Sequence, residues 1–587
     1  MGGIGLGSAD GILSYITLVL RYVLPIPALL VVARCAVSLL CGKHGDATWG
    51  YLSLPNGARV PLRHWENIIG RARDADCHMS YPSLSRSHAA VIRDSAGAWR
   101  VYDLGSKGGV RVNGESVAPG PGHDIKSGGL IDLGSVQLVF VSSDDELPPL
   151  AGDAPPPRNW AGKIKPGATA ALLTEFQLML GIQACIAKAD ALTAAVPFAF
   201  ASLIAIMWFC YAMTRAMGRQ GFEIETLAFF LCSVGLSAAA SSAPEALLRQ
   251  TGFLAFGVFL FFAVGWFLRD LNRAVRLRWP IGALGAVMLA INLALGTTAF
   301  GAKNWLQIGG VSFQPSEFVK IAFVFAGAAT LDRLFAKRNL LLFIAYAGAC
   351  VTALAAMRDF GSALVFFSAF LIIAFIRSGD AATVFLSVGA AAFAGVLAAS
   401  ARSHIAARFG SWGHAWENTD AAGGFQQTRA MAAAASGGLF GVGSGNGWLW
   451  RVFAADTDLV FAMTCEELGL VIAIASVLAI TAISAFAVRA AASARSSFYV
   501  IGACAAASIL LFQSALNVLG SNDLLPFTGV TLPFISRGGS SLISCWGLLA
   551  FIKASDTRPG ASFAAVRGGW QNGEPKSFGG GTSDDTY

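Results

Sequence analysis

Two ionisable residues stand three positions apart inside an apolar stretch of the chain. In FQPSEFVKIAFVF, Glu317 and Lys320 share one face of a predicted helix, so their carboxylate and ammonium groups can pair. Ionisable side chains within a membrane are costly and generally face a cavity or a partner. The spacing therefore predicts either a structural ion pair that fixes helix packing or a polar site inside a helix bundle, and one pair can serve both purposes.

Further polar residues occur in or beside apolar runs. They are Asp359 in MRDFGSA, Asn517 in SALNVLG, and the adjacent Glu466 and Glu467 in DTDLVFAMTCEELGL. The two glutamates lie about two turns into a predicted span, so at least one carboxylate is expected to face the interior of the bundle.

A run of helix-breaking and polar residues precedes the last apolar segment. TLPFISRGGSS, residues 531–541, contains residues that interrupt or loosen a helix at two places. The first is Pro533 and the second is the pair Gly538 and Gly539. Unwound backbone at membrane depth is tolerated only where it is buried in protein or lines a cavity. We expect residues 536–541 to border a polar cavity. The alternative is a tight glycine-mediated helix contact, with Arg537 extending towards the membrane surface.

The composition identifies a polytopic membrane protein. Of its 587 residues, 55% are hydrophobic and 13% are charged, and the mean hydropathy is +0.60, whereas an ordinary soluble domain carries about 25% charged residues. The apolar residues come in runs long enough to span a bilayer. The formal charge of +7 lies mainly in short loops, where it orients the spans and does not indicate nucleic-acid binding. The ten cysteines show neither metal-ligand spacing nor a disulfide framework.

Changes in composition divide the chain into six parts. A retained transmembrane anchor is followed by a small antiparallel β domain, a Pro- and Asp-rich linker, an additional transmembrane hairpin, an apolar helical core and a disordered cytoplasmic tail. Their predicted bounds are residues 1–43, 44–145, 146–166, 167–216, 222–554 and 555–587. The expected fold is a polytopic α-helical membrane protein with an inserted all-β sandwich.

Lys and Arg in the short loops set the predicted topology. The loops RDLNRAVRLRW, LDRLFAKRN, RSGD and VRAAASARSS are expected in the cytoplasm, which places AKNWLQIGGVSFQPSE, residues 400–456 and SNDLLPFTGVTLPFISRGGSS outside. Residues 168–188 decide the side of the β domain. If they span, there are about thirteen spans and the β domain is cytoplasmic; if they form an interfacial helix, the β domain lies outside. We favour spanning.

The β domain carries several separated motifs, GR, SRSH, DLGS and VNG, in that order. The series resembles the forkhead-associated (FHA) domain, a β-sandwich that binds phosphothreonine peptides. The resemblance implies that Arg71 and Ser85 hold the phosphate, with Arg86 and Lys107 beside the peptide. Guanidinium and hydroxyl groups suit this role because both donate hydrogen bonds to phosphate.

One FHA loop departs from the family pattern. The family usually reads S-T-N-G-T, in which the Asn holds the peptide backbone. This chain reads SKGGV, so Gly108 replaces the Asn and Lys107 replaces the Thr. His88 is expected, by the same resemblance, to brace the loop without touching the ligand. A docking module that needs no phosphate is the alternative.

Five motifs in the helical core point to one family. NWLQIGGVSFQPSEFVK, RDFGSA, GGFQQTRAMAAAASGGLFGVGSGNG, DTDLVFAMTCEELG and LPFTGVTLPFISRGGSS appear in that order. They resemble the RodA/FtsW/SpoVE (SEDS) family of shape, elongation, division and sporulation proteins. The resemblance implies a core of ten helices that polymerises peptidoglycan from lipid II, an undecaprenyl-pyrophosphate-linked disaccharide peptide, outside the cytoplasmic membrane. It also implies a class B penicillin-binding protein as partner.

The resemblance also points to a catalytic carboxylate. The family's catalytic Asp lies in the large outer loop shortly before G-x-G-Y-Q, and in RFGSWGHAWENTDAAGGFQQ the match is Asp420. The spacing is one residue tighter than in common versions and Ala replaces the usual Pro, so Glu417 is a nearby competitor. A carboxylate there can take the proton of the attacking sugar hydroxyl, and one inverting displacement converts an α-linked donor into a β-linked product.

The departing pyrophosphate needs positive charge. The residues expected to bind substrate lie on the outer side of the predicted topology or near it: Lys303, Glu317, Lys320, Arg408, Arg537 and Ser540. No metal site formed by protein ligands is predicted and no cofactor is certain, although a divalent cation, Mg²⁺ or Mn²⁺, could share the task through the phosphates.

Together the motifs favour a glycan-strand polymerase of division or elongation in the bacterial cell membrane. Its FHA domain would bind a phosphothreonine protein, or Thr582 or Thr586 of its own tail, under control of a Ser/Thr kinase. Two other classes stay open. One is a lipid II flippase, since polar groups in a helix bundle also suit transport, and the other is a non-catalytic scaffold that recruits phosphorylated division proteins. The intact context of Asp420 favours the enzyme.

Overall fold

The structure is a computed structural model with two compact units, one of β-strands and one mainly of helices. It describes residues 9–41, 48–72, 75–93, 97–119, 122–142, 164–187, 194–299, 302–308, 311–330, 336–378, 382, 384–390, 392, 412–419, 422–492 and 496–558.

The β unit is built from eleven described strands. Their bounds are β1 Gly50–Ser53, β2 Arg59–Leu62, β3 Glu66–Gly70, β4 Cys77–His78, β5 Ala89–Arg93, β6 Trp99–Asp103, β7 Val110–Val112, β8 Glu115–Ser116, β9 His123–Ile125, β10 Leu130–Leu133 and β11 Val136–Ser142. They form a six-stranded sheet in the order β2-β1-β11-β10-β7-β8 and a five-stranded sheet in the order β4-β3-β5-β6-β9.

The two sheets enclose one apolar core. Along β11 every second side chain is buried, which is the period of a strand with one face on a core. Trp99 of the five-stranded sheet packs on Phe140 of the six-stranded sheet, with ring centroids 5.0 Å apart. The predicted VNG hairpin turn joins β7 to β8, and its Asn113 and Gly114 both have positive φ, as a two-residue hairpin turn requires. The predicted all-β sandwich is confirmed.

The helical unit contains fifteen described α-helices and a three-stranded antiparallel sheet. The helices are α1 Ala9–Val23, α2 Pro25–Cys41, α3 Pro166–Ala187, α4 Ala195–Ala216, α5 Glu223–Ser242, α6 Leu247–Phe267, α7 Leu271–Leu295, α8 Pro315–Thr330, α9 Ala336–Ala356, α10 Phe360–Ser378, α11 Ala422–Gly437, α12 Val460–Leu468, α13 Leu470–Ala492, α14 Ser497–Ser521 and α15 Gly539–Ser555. The strands are β12 Thr297–Ala299, β13 Ala302–Ile308 and β14 Val311–Phe313.

Nine apolar helical segments in the described part of the chain are long enough to cross a membrane, and two shorter apolar helices accompany them. One of the nine is Pro166–Ala187, the segment whose spanning decided the predicted topology. The total of about thirteen spans stays a prediction, because most of residues 379–400 lies outside the described residues.

Helix α5 lies at the centre of this unit. Nineteen of its twenty residues are buried, and it contacts α2, α3, α4, α6, α12 and α13. A helix that is apolar on every side is stable only when other elements surround it. The N-terminal helices contribute to this enclosure through polar contacts: Ser38 Oγ donates to Glu223 Oε1 at 2.7 Å, and Gln177 Nε2 donates to Ser233 Oγ at 3.1 Å.

Candidate functional site

A buried polar network surrounds the Glu317–Lys320 pair. Lys320 Nζ lies 2.8 Å from Glu317 Oε1 and donates to Gln513 Oε1 at 2.9 Å, and all three residues are buried. Pro315 begins α8, a favoured first position for proline, and the helical spacing then brings the two charges together. The predicted ion pair is confirmed, whereas its role in substrate binding stays a prediction. Gln513 was missed, although a long amide side chain within the apolar α14 is a sequence signal.

Gln513 connects this pair to TLPFISRGGSS. Its Nε2 donates to Thr531 O at 2.9 Å and to Thr531 Oγ1 at 2.8 Å, and Thr531 Oγ1 lies 2.8 Å from Ser541 Oγ. Glu317 Oε2 is buried and has no hydrogen-bond partner among the described residues. The network therefore contains one acceptor that no described protein donor satisfies.

Asp359 organises a second cluster beside the first. Its carboxylate accepts hydrogen bonds from Asn304 Nδ2 at 3.2 Å, Gln314 Nε2 at 3.0 Å and Ser362 Oγ at 2.9 Å. The backbone N–H of Gln314 donates to Ser540 Oγ at 3.1 Å. Through Gln314, which lies between β14 and α8, the cluster thus joins the predicted residues Asp359, just before α10, and Ser540, in α15.

Arg537 is paired with Asp456, a partner that the local sequence does not predict. Its guanidinium forms an ion pair with Asp456, and its backbone N–H donates to Asp456 O at 2.8 Å. Ser242 Oγ also donates to Asp456 Oδ2 at 2.6 Å. The carboxylate offsets the positive charge that was expected to face phosphate, so any phosphate at Arg537 competes with Asp456. The role of Arg537 in binding phosphate stays a prediction.

The glycine-mediated contact considered for this stretch is present. A Cβ at Gly539 would overlap the ring of Phe253 in α6. Residues 531–538 contain no helix, and Ser536 Oγ satisfies backbone groups there by accepting from Leu532 N at 2.8 Å and donating to Thr457 O at 2.5 Å. The unwound backbone therefore lies packed in protein, as membrane depth requires.

Glu466 and Glu467 hold the Gly-rich loop, which we define as residues 437–447, and the turn after it. Glu466 Oε1 accepts from Trp448 N at 2.8 Å and its Oε2 from Leu449 N at 3.0 Å. Glu467 Oε2 accepts from Ser241 Oγ at 2.6 Å and from Gly445 N at 3.1 Å. Both carboxylates are buried, so the expectation that at least one faces the interior is confirmed.

The residues expected to perform the chemistry fall largely outside the described part. Asp420 and Arg408 lie outside the described residues. Glu417, the competing carboxylate, is exposed, and its Oε2 lies 3.3 Å from Nδ1 of His414. Lys303 Nζ donates to Leu293 O at 2.7 Å and to Ala294 O at 3.1 Å, at the C-terminal end of α7. This position suits a cation because of the helix dipole.

Asp523 tethers the described segment that precedes Asp420. Its Oδ1 accepts from Gly413 N at 3.0 Å and its Oδ2 from Ala415 N at 3.1 Å. Gln427 of α11 donates to Gly520 O at 2.8 Å, which fixes α11 to the end of α14. Sequence reasoning missed Asp523, although it stands only two residues before the motif LPFTGVTLPFISRGGSS.

The β unit gathers the residues expected to bind phosphopeptide. Arg71 N donates to Ser85 O at 3.0 Å, and Lys107 N donates to Ser85 Oγ at 3.1 Å. The side chains of Arg71, Arg86 and Lys107 are exposed. His88 is buried, where its Nδ1 accepts from Ser85 N at 3.1 Å and its Nε2 lies 3.1 Å from the carbonyl oxygen of residue 109. The bracing role of His88 is confirmed.

Gly108 fills a position with little room for a side chain. A Cβ there would lie 3.2 Å from Gly134 Cα and 3.4 Å from His88 Cε1. An Asn at residue 108, as in the family pattern, would therefore require these neighbours to move. The loss of the peptide-holding amide is consistent with the local packing of this loop.

A buried ionic cluster that sequence reasoning missed joins α5 to α15. Lys553 Nζ lies 2.9 Å from Glu225 Oε1. Arg558 Nη2 lies 3.1 Å from Glu223 Oε2 and 2.8 Å from Asp556 Oδ2. Burial opposes ionisation of Asp556, but the attraction and hydrogen bonds of Arg558 outweigh it and lower the pKa of the carboxyl. The cluster joins the N-terminal end of α5 to the C-terminal end of α15.

The described residues offer no ready metal site. They contain no group of three or more His, Cys, Asp or Glu side chains placed to hold an ion. The carboxylates of Asp359, Asp456 and Glu466 already accept several hydrogen bonds from protein donors.

Comparison with known proteins identifies both units. Residues 225–558 match the FtsW/RodA/SpoVE family, described as cell cycle proteins, and residues 67–134 match the FHA domain. "Peptidoglycan glycosyltransferase RodA" of Mycobacterium leprae (strain TN) is 32% identical over 312 residues, which cover 50% of this chain and 67% of that protein. "Probable peptidoglycan glycosyltransferase FtsW" of Aeromonas salmonicida (strain A449) is 31% identical over 359 residues, covering 56% and 88%.

The solved structures similar to this chain include one described as "Structural coordination of polymerization and crosslinking by a peptidoglycan synthase complex". The two chains are 25% identical with a TM-score of 0.49, over 57% of this chain and 96% of that one. The family match itself extends over more than half of the sequence. The chain is a multi-pass membrane protein that belongs to the FtsW/RodA/SpoVE family and carries an FHA domain in addition.

Proposed function

We propose that this protein polymerises peptidoglycan glycan strands from lipid II on the outer side of the cytoplasmic membrane. The observation that carries the proposal is the family match over the whole helical core, residues 225–558, whose relatives are named peptidoglycan glycosyltransferases. The buried networks around Lys320 and Asp359 support it, because they supply polar groups inside an otherwise apolar bundle.

In the proposed reaction a sugar hydroxyl of one saccharide attacks the anomeric carbon of another. The new C–O bond forms as the bond to the lipid pyrophosphate breaks, and the hydroxyl proton passes to the carboxylate of Asp420. Inversion at the anomeric carbon follows from a single displacement. Positive side chains stabilise the departing pyrophosphate; those we assign are Lys303, Lys320, Arg408 and Arg537. Glu317 and Ser540 hold polar groups of the substrate, and Mg²⁺ or Mn²⁺ bound through the phosphates can add charge.

The test is polymerisation of labelled lipid II by the purified full-length chain. We expect polymer from the wild type and none above background from Asp420→Asn, which keeps the size of the side chain and removes the base. Glu417→Gln is the matched control, because Glu417 is the nearby competitor, and it should retain activity. Polymer from Asp420→Asn together with its loss in Glu417→Gln would transfer the role to Glu417. Lipid II crossing of a vesicle membrane without polymer would favour the flippase, and neither activity would favour the scaffold.

We propose further that the β unit is cytoplasmic and binds phosphothreonine, on a partner or on Thr582 or Thr586 of the tail, and that a class B penicillin-binding protein is the enzyme's partner. The exposed Arg71 beside Ser85, and the brace formed by His88, support phosphate binding. Calorimetry with phosphorylated and unphosphorylated peptides of the tail tests it.

We expect binding of the phosphorylated peptide alone, lost in Arg71→Ala. Arg63→Ala, an exposed arginine outside the recognised motifs, is the control. Equal binding of both peptides would indicate docking that does not depend on phosphate.

A further inference from the structure

Helices α1 and α3, which precede the family core, both close on the Gly-rich loop. Tyr22 of α1 packs edge to face on Phe440 of the loop, with ring centroids 5.2 Å apart and ring planes at 61°. Gly443 has a φ of +102°, and a Cβ there would lie 3.3 Å from Thr17 Cγ2 and 3.4 Å from Gln183 Nε2. The loop therefore packs directly against two helices outside the residues that match the family.

The core holds the opposite side of the same loop. Val442 N donates to Glu466 O at 2.8 Å and Gly443 N donates to Glu467 O at 2.9 Å. Ser444 Oγ lies 2.8 Å from Ser237 Oγ of α5. Glycines with positive φ have many alternative conformations, so the loop's conformation depends on contacts from both sides.

The loop continues directly from α11. Gly437 is the last residue of α11, and a Cβ there would lie 2.6 Å from Glu466 Cα, so this end of the helix packs tightly on α12. Helix α11 begins two residues after Asp420 in the sequence. The proposed catalytic segment and the Gly-rich loop therefore adjoin the two ends of one helix, α11, in the sequence.

Helices α2 and α3 of the N-terminal extension are themselves fixed to the core, and α1 packs against both of them. Ser38 of α2 donates to Glu223 Oε1 at 2.7 Å, and Gln177 of α3 donates to Ser233 Oγ at 3.1 Å. Arg34 Nε donates to Thr169 Oγ1 at 3.1 Å and joins α2 to α3. These contacts join the extension to the core, so its helices can support the loop.

We propose that α1 and α3 are positioning elements for the glycosyltransferase reaction. Tyr22, Thr17 and Gln183 hold the Gly-rich loop, and through it α11, in the geometry that polymerisation needs. These three residues act through the loop and do not touch the substrate. The proposal rests on the proposed function. Its test can fail for the positioning role and for the polymerase activity separately.

The test compares Tyr22→Leu, which removes the ring, with Tyr22→Phe, which keeps it. Tyr15→Leu is the matched control, because Tyr15 is on the same helix and equally exposed, at 51%. In steady-state polymerisation of lipid II by the full chain, Tyr22→Leu should lower kcat about twofold to tenfold, the range of one aromatic pair. KM should stay unchanged, and Tyr22→Phe and Tyr15→Leu should keep the wild-type kcat.

Hydrogen–deuterium exchange of the peptide that contains Val442 and Gly443 reports on the loop independently of catalysis. In Tyr22→Leu its amides should exchange about twofold to tenfold faster, while the unfolding midpoint of the chain stays unchanged. Wild-type kcat and exchange in Tyr22→Leu would overturn the proposal, as would a fall in kcat that only follows a loss of folded protein. If the wild type makes no polymer, the proposed function fails, and the exchange result alone decides whether α1 positions the loop.

Discussion

Removing Lys553 should expose how much the buried ionic cluster contributes to stability. Its Nζ lies 2.9 Å from Glu225 Oε1, and neither side chain has any exposed surface. Lys553→Met leaves the Glu225 carboxylate without water and without its cation. Removing one member of a buried pair typically destabilises a protein by about 3–5 kcal/mol, and we expect a loss in this range.

Replacing both members should restore most of that loss. The double variant Lys553→Met, Glu225→Leu contains neither charge, and such apolar replacements are often neutral. The double variant should still be less stable than the wild type, because Lys553 Nζ also donates to Gly221 O at 2.7 Å. A buried carbonyl that loses its hydrogen bond costs about 1–3 kcal/mol. The two changes should therefore show an interaction free energy of at least about 3 kcal/mol in a double-mutant cycle.

The measurement is the free energy of unfolding of the purified protein in detergent micelles, from denaturant titration. Asp270→Asn is the matched control, since it breaks the half-exposed Arg273–Asp270 pair, 3.8 Å long with side-chain exposures of 39% and 40%. Such a pair contributes less than about 1 kcal/mol. A loss in Lys553→Met no larger than in Asp270→Asn, or a double variant as unstable as both single variants combined, would refute this reasoning.

Two further predictions concern single contacts. Gly539→Ala places a methyl group against the ring of Phe253 and should lower the free energy of unfolding by about 1–3 kcal/mol. The control is Gly252→Ala in α6, where the methyl group meets open space and should raise the free energy of unfolding by about 0.5–1 kcal/mol. Equal effects of the two variants in thermal unfolding would contradict the close approach of the helices. The hydrogen bond to Glu115 raises the pKa of His123, so this exposed contact should stabilise the β unit by under about 1 kcal/mol below pH 6.5 and lose that effect as pH rises through the folded pKa. His123→Gln should remove this pH dependence from hydrogen exchange of the β unit, and its persistence would assign it to another group.

Contacts fixed by helix geometry were predictable from the sequence, and contacts across the fold were not. The Glu317–Lys320 pair follows from a three-residue spacing on one helix. Asp456 and Arg537 are 81 residues apart, and Glu225 and Lys553 are 328 apart. No local rule relates such residues, because their meeting depends on how whole helices pack. The sequence therefore led us to expect phosphate beside Arg537, whereas the structure places the carboxylate of Asp456 there.

The same distinction applies to the two glutamates of α12. A charge within an apolar run indicates that it faces the interior, and Glu466 and Glu467 do so. Their backbone partners are amides of the Gly-rich loop and of the turn after it, and the loop's conformation depends on glycines with positive φ that residue types alone do not predict. The FHA fold was predictable because its motifs are local, whereas the tight packing around Gly108 became apparent only in three dimensions.

The ionic cluster has a consequence for biosynthesis. Helix α5 enters the membrane with Glu223 and Glu225, but the cations that neutralise them, Arg558 and Lys553, are translated 335 and 328 residues later. Until α15 and the residues that follow it are in place, these carboxylates must remain protonated or in contact with water. A polypeptide released early by the ribosome lacks both cations, so we expect the membrane's quality-control proteases to recognise it as unfinished and degrade it.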